Sequence, residues 1–456
     1  MPSQDLFILN LCNNAINELI KMMKKLFLIA FMLFFELSFA QEKPKNTFDA
    51  EAFKAQVEAM ANAEKENASK NSTQRSSRSS NIKNAYDRLT DAEKVIVKDL
   101  PVPPEIFRTA EEVQAFEEKI KGKNLMTMLN QNQSASITLK AYLINYQSVH
   151  QKNVKILKNA EAEKAKFQRE NPNINFGEAT SRTYISKDDL VYLPLGITSF
   201  ADEVVSVQRG TSTINFPEKN CLSTPDYIEK TNVKDNLGVY NLGLGGSLVI
   251  KFTDNALVDV NGPDLYIFEM GEIEPTNLEI STDGIKWVNV GTISGGVAEV
   301  DISKAAKPNE YYYYVRLTDL KTYSTVPGAD VDAIAAIGGA MRLSLNAEVL
   351  FDSGKSELKS EGIAAVKKLA TQLSNVGKAT LNISGYTDDI GSDDLNQKLS
   401  IARAESVAKV LQQEVGSTNR FILKTKGYGE QNPIAPNNNE ENRKKNRRVE
   451  VLVSSF

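Results

Sequence analysis

The stretch GYTDDIGSDDLNQKLSIARAESV, residues 385–407, crowds acidic side chains into one turn ahead of a predicted helix that carries a single arginine. Four aspartates lie in the turn and one arginine follows: Asp388, Asp389, Asp393, Asp394 and Arg403. Like charges in one turn repel each other, which suggests that a group outside the chain balances them. Otherwise they serve only as negative charge at a helix start, which the helix dipole favours.

Three side chains of this stretch are predicted to meet at one end of a sheet. Asn396 and Arg403 are seven residues apart, which places them on nearly the same helix face, about 10.5 Å apart along the axis. Asp388 ends the strand that leads into this helix. Together they fit a zwitterion, with its ammonium at Asp388 and its carboxylate gripped by Arg403. The alternative is an exposed Asp388–Arg403 ion pair, which would contribute only ~0–1 kcal/mol.

The surrounding residues predict a compact α+β domain at 341–456 with the order βαβαββ. Alternating apolar residues from Met341 to Phe351 predict a first strand with one buried face. The elements predicted after it are helix 358–373, a strand that begins at 381 and leads to 388, helix 395–410, strand 421–425 and strand 449–453. Two helices on one face of a mixed sheet make an α+β sandwich.

Four ordered motifs of this domain resemble the OmpA C-terminal-like peptidoglycan-binding domain family. They cover about residues 345–455 and are VLFDSGKSEL (349–358), GYTDDIGSDDLNQKLSIARAESV (385–407), GYGEQNPIAPN (427–437) and NRKKNRRVEV (442–451). The resemblance implies that Asp388 and Arg403 clamp the diaminopimelate residue of a peptidoglycan stem peptide. It also implies that Asn396, Thr387 and the backbone of the Phe351–Lys355 loop line the same pocket.

A basic run lies just before the last predicted strand, and its members are Arg443, Lys444, Lys445, Arg447 and Arg448. Such a run can indicate a nucleic-acid partner. No aromatic residues are interleaved with it, however, and the export signal described below argues against that partner. The sequence therefore favours a solvated helix face, with Arg448 packing on the sheet.

Residues 180–340 contain short alternating runs rich in β-branched and aromatic residues, separated by Gly, Asn, Asp and Pro. This pattern predicts an all-β sandwich. The segments GLGGSLVIKFTDNALVDVNGPDLYIFE, STDGIKWVNVGTI, YVRLTDL and PGADVDAIAAIG resemble discoidin-like jelly-roll domains of extracellular proteins. The resemblance implies a second binding surface for a protein or a glycan, although fold alone does not establish such a role.

The same β region contains a candidate cation site. Asp259, Asn261 and Asp264 cluster in one predicted turn, and Glu269 lies on the following strand. Oxygen ligands gathered on loops suit Ca²⁺, which takes roughly six to eight of them. The alternative is that these residues form turns by hydrogen bonding to their own backbone.

The amino-terminal stretch MKKLFLIAFMLFFELSFA (23–40) has the layout of a secretory signal peptide. Two lysines precede an apolar run that is shorter than the ~20 residues needed to span a bilayer, and small residues follow it. We therefore expect residues 1–40 to be a signal peptide, with the true start at Met22 or Met23 and cleavage after Ala40.

Two further regions separate the signal from the sandwich. Residues 41–80 are polar and alanine-rich, which predicts a flexible segment. Residues 81–179 are rich in lysine and glutamate with helical spacing, clearest at 110–121 and 141–166. These helices either pack on one another or act as a spacer.

The composition excludes several classes of site. The chain has 456 residues, a formal net charge of −4, two cysteines and one histidine, His150. Clusters of Cys and His for zinc and a disulfide framework are therefore out of reach. The near-neutral charge gives no general case for nucleic acid or an anionic membrane.

The sequence as a whole predicts an exported, non-enzymatic, multidomain protein on the periplasmic side of the outer membrane. It is expected to bind peptidoglycan and to link the cell wall to outer-membrane or surface components. The alternative is a carbohydrate-active enzyme or adhesin whose jelly roll acts on or binds glycans, with the C-terminal domain as an anchor. A glycosidase needs two carboxylates ~5–9.5 Å apart, which the acidic residues at 259–269 and 330–332 could supply, with Trp287 as the only tryptophan.

Overall fold

The computed structural model describes residues 85–455, apart from 124, 132–135, 179, 187–188, 212, 229–237, 271–273, 296–297, 322–326 and 417–419. The signal peptide predicted at 1–40 and the polar segment predicted at 41–80 lie outside the described residues. Within the described part, every helix is too short or too polar to span a lipid bilayer.

The first helices pack on one another around their own apolar core. They are α1 (Asp91–Ile96), α2 (Ala110–Ile120), α3 (Leu125–Gln131) and α4 (Ile137–Glu170). Thr90 and Glu93 form a reciprocal capping box that starts α1. Val97, Phe116 and Tyr146 are among the buried side chains that the helices share. These helices therefore pack on one another, which is one of the two arrangements that the sequence left open.

The β region begins with a hairpin and continues as two antiparallel sheets. Its strands are β1 (Arg182–Ser186), β2 (Asp189–Leu193), β3 (Glu203–Gln208), β4 (Tyr240–Asn241), β5 (Ser247–Lys251), β6 (Asn255–Leu257), β7 (Leu265–Met270), β8 (Thr276–Ser281), β9 (Val288–Ile293), β10 (Ala298–Val300), β11 (Tyr314–Asp319) and β12 (Asp330–Ala336). One sheet has the order β3-β5-β11-β8-β9 and the other β10-β7-β12-β4.

The two sheets enclose one core, as the alternating pattern predicted. Ile250, Ile280 and Val315 point inward from the five-stranded sheet, and Ile267 and Ile334 from the four-stranded sheet. Successive side chains of a strand point to opposite faces, so every second residue enters this core. The two-sheet sandwich is thus present, while its resemblance to discoidin-like jelly rolls stays a prediction.

The C-terminal region has the predicted βαβαββ order with two short helices added. Its elements are β13 (Gly339–Asn346), α5 (Ala347–Leu350), α6 (Ser360–Gln372), β14 (Ala379–Tyr386), α7 (Asp393–Val415), β15 (Phe421–Gly427), α8 (Glu440–Asn446) and β16 (Arg448–Ser454). β14 and β15 pair in parallel, and the other pairs are antiparallel. Apolar residues of α6 and α7, such as Val366 and Val407, pack with Ile383 and Val451 of the sheet.

The first strand of this domain is shorter than predicted. The alternation from Met341 to Phe351 suggested one strand, but β13 ends at Asn346 and a helical turn, α5, follows. The Asn346 side chain accepts a hydrogen bond from the backbone N–H of Glu348 at 2.8 Å, which caps this turn. The alternation of apolar residues continues through Asn346 and therefore does not reveal that this residue caps a helical turn.

The sandwich and the C-terminal domain share one sheet. Its order is β15-β14-β16-β13-β6, and β6 comes from the sandwich sequence. The β6 strand pairs with Gly339–Met341 of β13, so the predicted boundary at 340/341 falls inside a strand. One apolar cluster also continues from Phe268 of β7 to Leu381 of β14. The two parts are therefore joined by backbone pairing and a common core.

Candidate functional site

The candidate site lies where β14 ends and α7 crosses it. Two glycines allow the helix to lie directly on the strand ends. A Cβ added to Gly385 would be 2.1 Å from the backbone oxygen of Ser400, and one added to Gly427 would be 2.4 Å from the Ser400 hydroxyl. This close approach brings Arg403, one turn further along α7, toward the turn that carries Asp388.

Asp388 is buried, with 6% of its surface exposed, and it is ion-paired within the chain. Its Oδ2 accepts a hydrogen bond from Nη1 of Arg447 at 2.5 Å, and its Oδ1 accepts one from the backbone N–H of Ile390 at 3.2 Å. The sequence had suggested Arg403 or a ligand as the partner. In the structure the partner of Asp388 is Arg447.

Arg403 is a buried cation whose described partners are not carboxylates. Only 4% of it is exposed, its Nε donates to the backbone oxygen of Lys355 at 3.0 Å, and its guanidinium lies 5.2 Å from the centre of the Phe351 ring. Among the described residues, no carboxylate forms an ion pair with it. Burial lowers the pKa of Arg403, and so does the nearby Arg447, while Asp388 acts in the opposite direction.

Buried charges without a partner are unfavourable, because desolvation is not repaid by an opposite charge. Arg403 therefore makes this a place where an anionic group is favoured. The Phe351–Lys355 loop lies beside Arg403, where the family resemblance expected it.

Arg447 joins three acids at the mouth of the site. Besides the Asp388 contact, its Nη2 donates to Glu348 Oε1 at 2.7 Å and to Glu440 Oε1 at 2.6 Å. Partial burial lowers the pKa of Arg447, but the hydrogen bonds to the three carboxylates outweigh it and hold that pKa above its ordinary value. Arg447 therefore stays charged at every physiological pH.

The prediction that the basic run forms only a solvated helix face is wrong for Arg447. α8 ends at Asn446, so the next side chain leaves the helix surface and turns toward Asp388. Arg448 packs on the sheet as expected, with its guanidinium 3.8 Å from the centre of the Tyr386 ring. The sequence signal that could have indicated Arg447 is the excess of aspartates over arginines in residues 385–407, which suggests that a further cation lies nearby.

Asn396 and Thr387 are both buried beside Asp388. The Asn396 side-chain amide donates to the backbone oxygen of Asp388 at 3.2 Å and to Glu430 Oε2 at 3.1 Å. The Asn396 amide therefore holds the turn in place and is already hydrogen-bonded within the chain. The Thr387 backbone N–H donates to the Gly429 oxygen at 2.8 Å, whereas its buried hydroxyl has no partner among the described residues.

The remaining aspartates of the turn behave as helix-start charges. Asp393 and Asp394 lie in the first turn of α7, and Asp389 is exposed. Asp394 forms an exposed ion pair with Lys398 at 2.6 Å. Of the four aspartates, only Asp388 faces the site.

The predicted cation site is arranged differently from the expectation. Asp259 and Asp264 come together with Asp301, one oxygen of each lying within 4.8 Å of the others. Asp301 was not foreseen, because it is distant in sequence. Glu269 does not belong to this group, since it lies further along β7, opposite Val331 of β12.

Asp264 and Asn261 have structural partners in this region. The two Asp264 oxygens accept backbone hydrogen bonds from Val260 at 2.6 Å and from Ile302 at 2.8 Å. The Asn261 amide donates to the last carbonyl of α4, that of Glu170, at 2.8 Å. Burial raises the pKa of Asp264 to about 7, against these backbone hydrogen bonds. Only the hydrogen bond from Val260 lies within the turn itself, and the other two partners are distant in sequence. Both Ca²⁺ binding and the turn-forming alternative stay predictions.

Comparison with known proteins concerns the C-terminal region. The OmpA family matches residues 350–447. The probable lipoprotein YiaD of Escherichia coli (strain K12) is 35% identical over 142 residues, which are 31% of this chain and 64% of that protein. Outer membrane protein A of Bordetella avium is 40% identical over 114 residues, which are 25% of this chain and 58% of that protein. The chain therefore spans less than two thirds of the length of either relative.

Among solved structures, the periplasmic domain of Helicobacter pylori MotB is 30% identical, with a TM-score of 0.23. That similarity covers 25% of this chain and 83% of the MotB domain.

Proposed function

Residues 350–447 are an OmpA family domain, and from that premise we propose that the chain binds peptidoglycan non-covalently and is not an enzyme. The ligand group is the free end of a diaminopimelate residue in the stem peptide, which carries an ammonium and a carboxylate on one carbon. The ammonium contacts Asp388, and the carboxylate contacts Arg403.

The observation that carries this proposal is the buried guanidinium of Arg403, which has no carboxylate partner among the described residues and lies near the buried Asp388. An ordinary surface ion pair explains neither the burial of both groups nor the absence of a contact between them. The Thr387 hydroxyl beside Asp388 has no hydrogen-bond partner in the described part of the chain, which supports a ligand that supplies a further polar group. Asn396 acts indirectly, because its amide holds the turn in place.

We also propose that the chain lies in the cell envelope and links the cell wall to other envelope components. The relatives are a probable lipoprotein and an outer membrane protein, and the amino terminus has the pattern of an export signal. The sheet shared by β6 and β13 supports a mechanical link, since a partner held by the sandwich would be joined to the peptidoglycan site without a flexible linker.

Co-sedimentation of the purified chain with peptidoglycan sacculi tests this function. Asp388→Asn keeps the shape but removes the charge that faces the ammonium, and Arg403→Lys keeps the charge but loses the planar, two-pronged grip. Truncating one partner of a buried charge pair costs about 2–5 kcal/mol, so each variant should bind roughly thirty-fold more weakly or worse.

The matched controls are Asp389→Asn in the same turn and Arg443→Lys on α8, both outside the pocket. They should sediment as the parent does, and melting curves should show that all four variants are folded. If Asp388→Asn combined with Arg403→Lys still sediments as well as the parent, the proposed pocket is wrong.

A further inference from the structure

The cation that neutralises Asp388 is supplied by the chain itself. Arg447 lies between the buried Asp388 and two acids at the surface, Glu348 and Glu440, and it hydrogen-bonds to all three. The side chain of Asp388 is nearly inaccessible, whereas those of Glu348 and Glu440 are about half exposed. Any ligand cation that approaches Asp388 therefore meets Arg447 first.

We propose that Arg447 makes this pocket selective for ligands that carry an ammonium and a carboxylate on the same centre, and against ligands that carry an ammonium alone. The inference rests on the proposed function and concerns the substrate class of the same pocket. It assigns Arg447 as a residue that determines specificity by competing for Asp388.

A ligand with only an ammonium gains little at this site. To contact Asp388 it must displace Arg447 or share the carboxylate with it, and either arrangement brings a second cation close to Arg447. The displaced guanidinium keeps only Glu348 and Glu440, whose exposed charges are screened by water. Arg403 meanwhile remains buried without an ion-pair partner among the residues that the structure describes.

A ligand with both charges displaces Arg447 from Asp388 but also brings a carboxylate that can pair with the arginines. Its ammonium replaces Arg447 at Asp388, and its carboxylate enters between Arg403 and Arg447, which is close enough to lower the pKa of Arg403. Each of the three buried or partly buried charges then has an opposite charge as its neighbour. Exchange of partners in a desolvated pocket favours such a ligand, because no charge is left unpaired.

The two exposed acids hold Arg447 at the mouth of the pocket after it leaves Asp388. Glu348 also contacts Lys444 at 3.6 Å, so this lysine shares an acid with Arg447 without touching Asp388. Lys444 is therefore a matched control for Arg447, with the same charge, the same basic run and one common partner.

The experiment is titration calorimetry of the full chain with two synthetic stem peptides that differ only at the third residue. One peptide carries meso-diaminopimelate, and the other carries lysine, which has the ammonium but lacks the side-chain carboxylate. For the parent we expect the diaminopimelate peptide to bind at least tenfold more tightly. In Arg447→Gln this ratio should fall several-fold, because the lysine peptide binds more tightly once Asp388 is free.

Lys444→Gln should keep the parental ratio, since it removes a neighbouring charge but leaves the Asp388 contact intact. A second variant, Glu348→Gln with Glu440→Gln, should raise the ratio, because Arg447 then has Asp388 as its main acid and is harder to displace. This variant decides the question even if Arg447→Gln does not fold.

The outcomes separate this inference from the proposed function. If the parent binds neither peptide, the proposed function fails. If the parent binds the diaminopimelate peptide but Arg447→Gln weakens both peptides equally and leaves the ratio unchanged, Arg447 is merely structural and the inference is overturned.

Discussion

At the scale of single residues, the candidate site contains two buried charges that have different partners. Asp388 is neutralised by Arg447, and Arg403 is held by a backbone oxygen and an aromatic ring. A buried charge persists in a fold only if something compensates its desolvation. For Asp388, the ion pair with Arg447 compensates the desolvation. For Arg403, the backbone oxygen and the aromatic ring compensate it only in part, so an anionic ligand group would be favoured there.

A second buried acid gives a prediction for stability against pH. Burial raises the pKa of Asp332 to about 7, although backbone hydrogen bonds from Asp226 and Tyr227 act to lower it. The folded state then keeps a proton that the unfolded chain releases near pH 4. The stability due to Asp332 is therefore complete below about pH 4 and is lost as the pH rises through about 7.

We expect Asp332→Asn to flatten the fall in unfolding free energy between about pH 4 and pH 7, by about 1 kcal/mol or more, since one pKa unit corresponds to ~1.4 kcal/mol. Urea denaturation at several pH values measures this slope. Asp283→Asn is the control, because backbone hydrogen bonds from Lys286 and Ile285 lower the pKa of Asp283 and its loss should leave the slope in place. A slope that is the same in Asp332→Asn and the parent would contradict the assignment.

Sequence reasoning placed Asp388 and Arg403 near one another, as they are in the structure, since turn chemistry and helical spacing are local. It missed Arg447 and Asp301, because each reaches its neighbours only after distant elements have packed. Asn396 was assigned to the ligand, but its amide is used by the Asp388 carbonyl and by Glu430. Local spacing could place that side chain on the correct face, yet it could not show which loop would approach it.

At the scale of elements, the candidate site depends on how closely α7 lies against the strand ends. Gly385 and Gly427 both face Ser400 of that helix, where any Cβ would overlap with backbone or hydroxyl atoms. The neighbouring element, α8, ends just before the side chain that pairs with Asp388. The strand order and helix positions were predictable from periodicity, whereas these close approaches were not, because they depend on tertiary packing.

Gly385→Ala tests this close packing. The added methyl carbon would be 2.1 Å from the Ser400 backbone oxygen, so α7 must move away from β14. Overpacking of this kind typically costs about 1–3 kcal/mol of stability, and the shift should also weaken binding to sacculi because Arg403 moves with the helix. Ser384→Ala, at the adjacent, partly exposed position, should change neither property. Parental binding by a folded Gly385→Ala variant would show that the helix position does not matter for the site.

At the scale of the whole molecule, the β sandwich and the C-terminal domain form a joined unit. The β6–β13 pairing, the continuous apolar cluster and the hydrogen bond between Tyr311 and Ser454 all cross between them. The sequence predicted both parts but placed a boundary at 340/341, because a change in pattern marks where one fold type begins. It cannot show that a strand of one part pairs with a strand of the other.

This joining predicts cooperative unfolding. Because the two parts share a sheet, we expect calorimetry of the full chain to show one transition for the sandwich and the C-terminal domain together. Its calorimetric enthalpy should equal its van't Hoff enthalpy, as for a two-state unit. Two well-separated transitions, one of which is moved by the diaminopimelate peptide and one of which is not, would contradict a shared folding unit.

A crystal structure of the full chain with the diaminopimelate stem peptide bound would show where the two charges of the ligand lie. We expect the side-chain ammonium within hydrogen-bonding distance of Asp388, and the carboxylate on the same carbon in contact with Arg403 and close to Arg447. A peptide bound elsewhere on the chain, or one in this pocket with its ammonium turned away from an intact Asp388–Arg447 pair, would contradict this expectation.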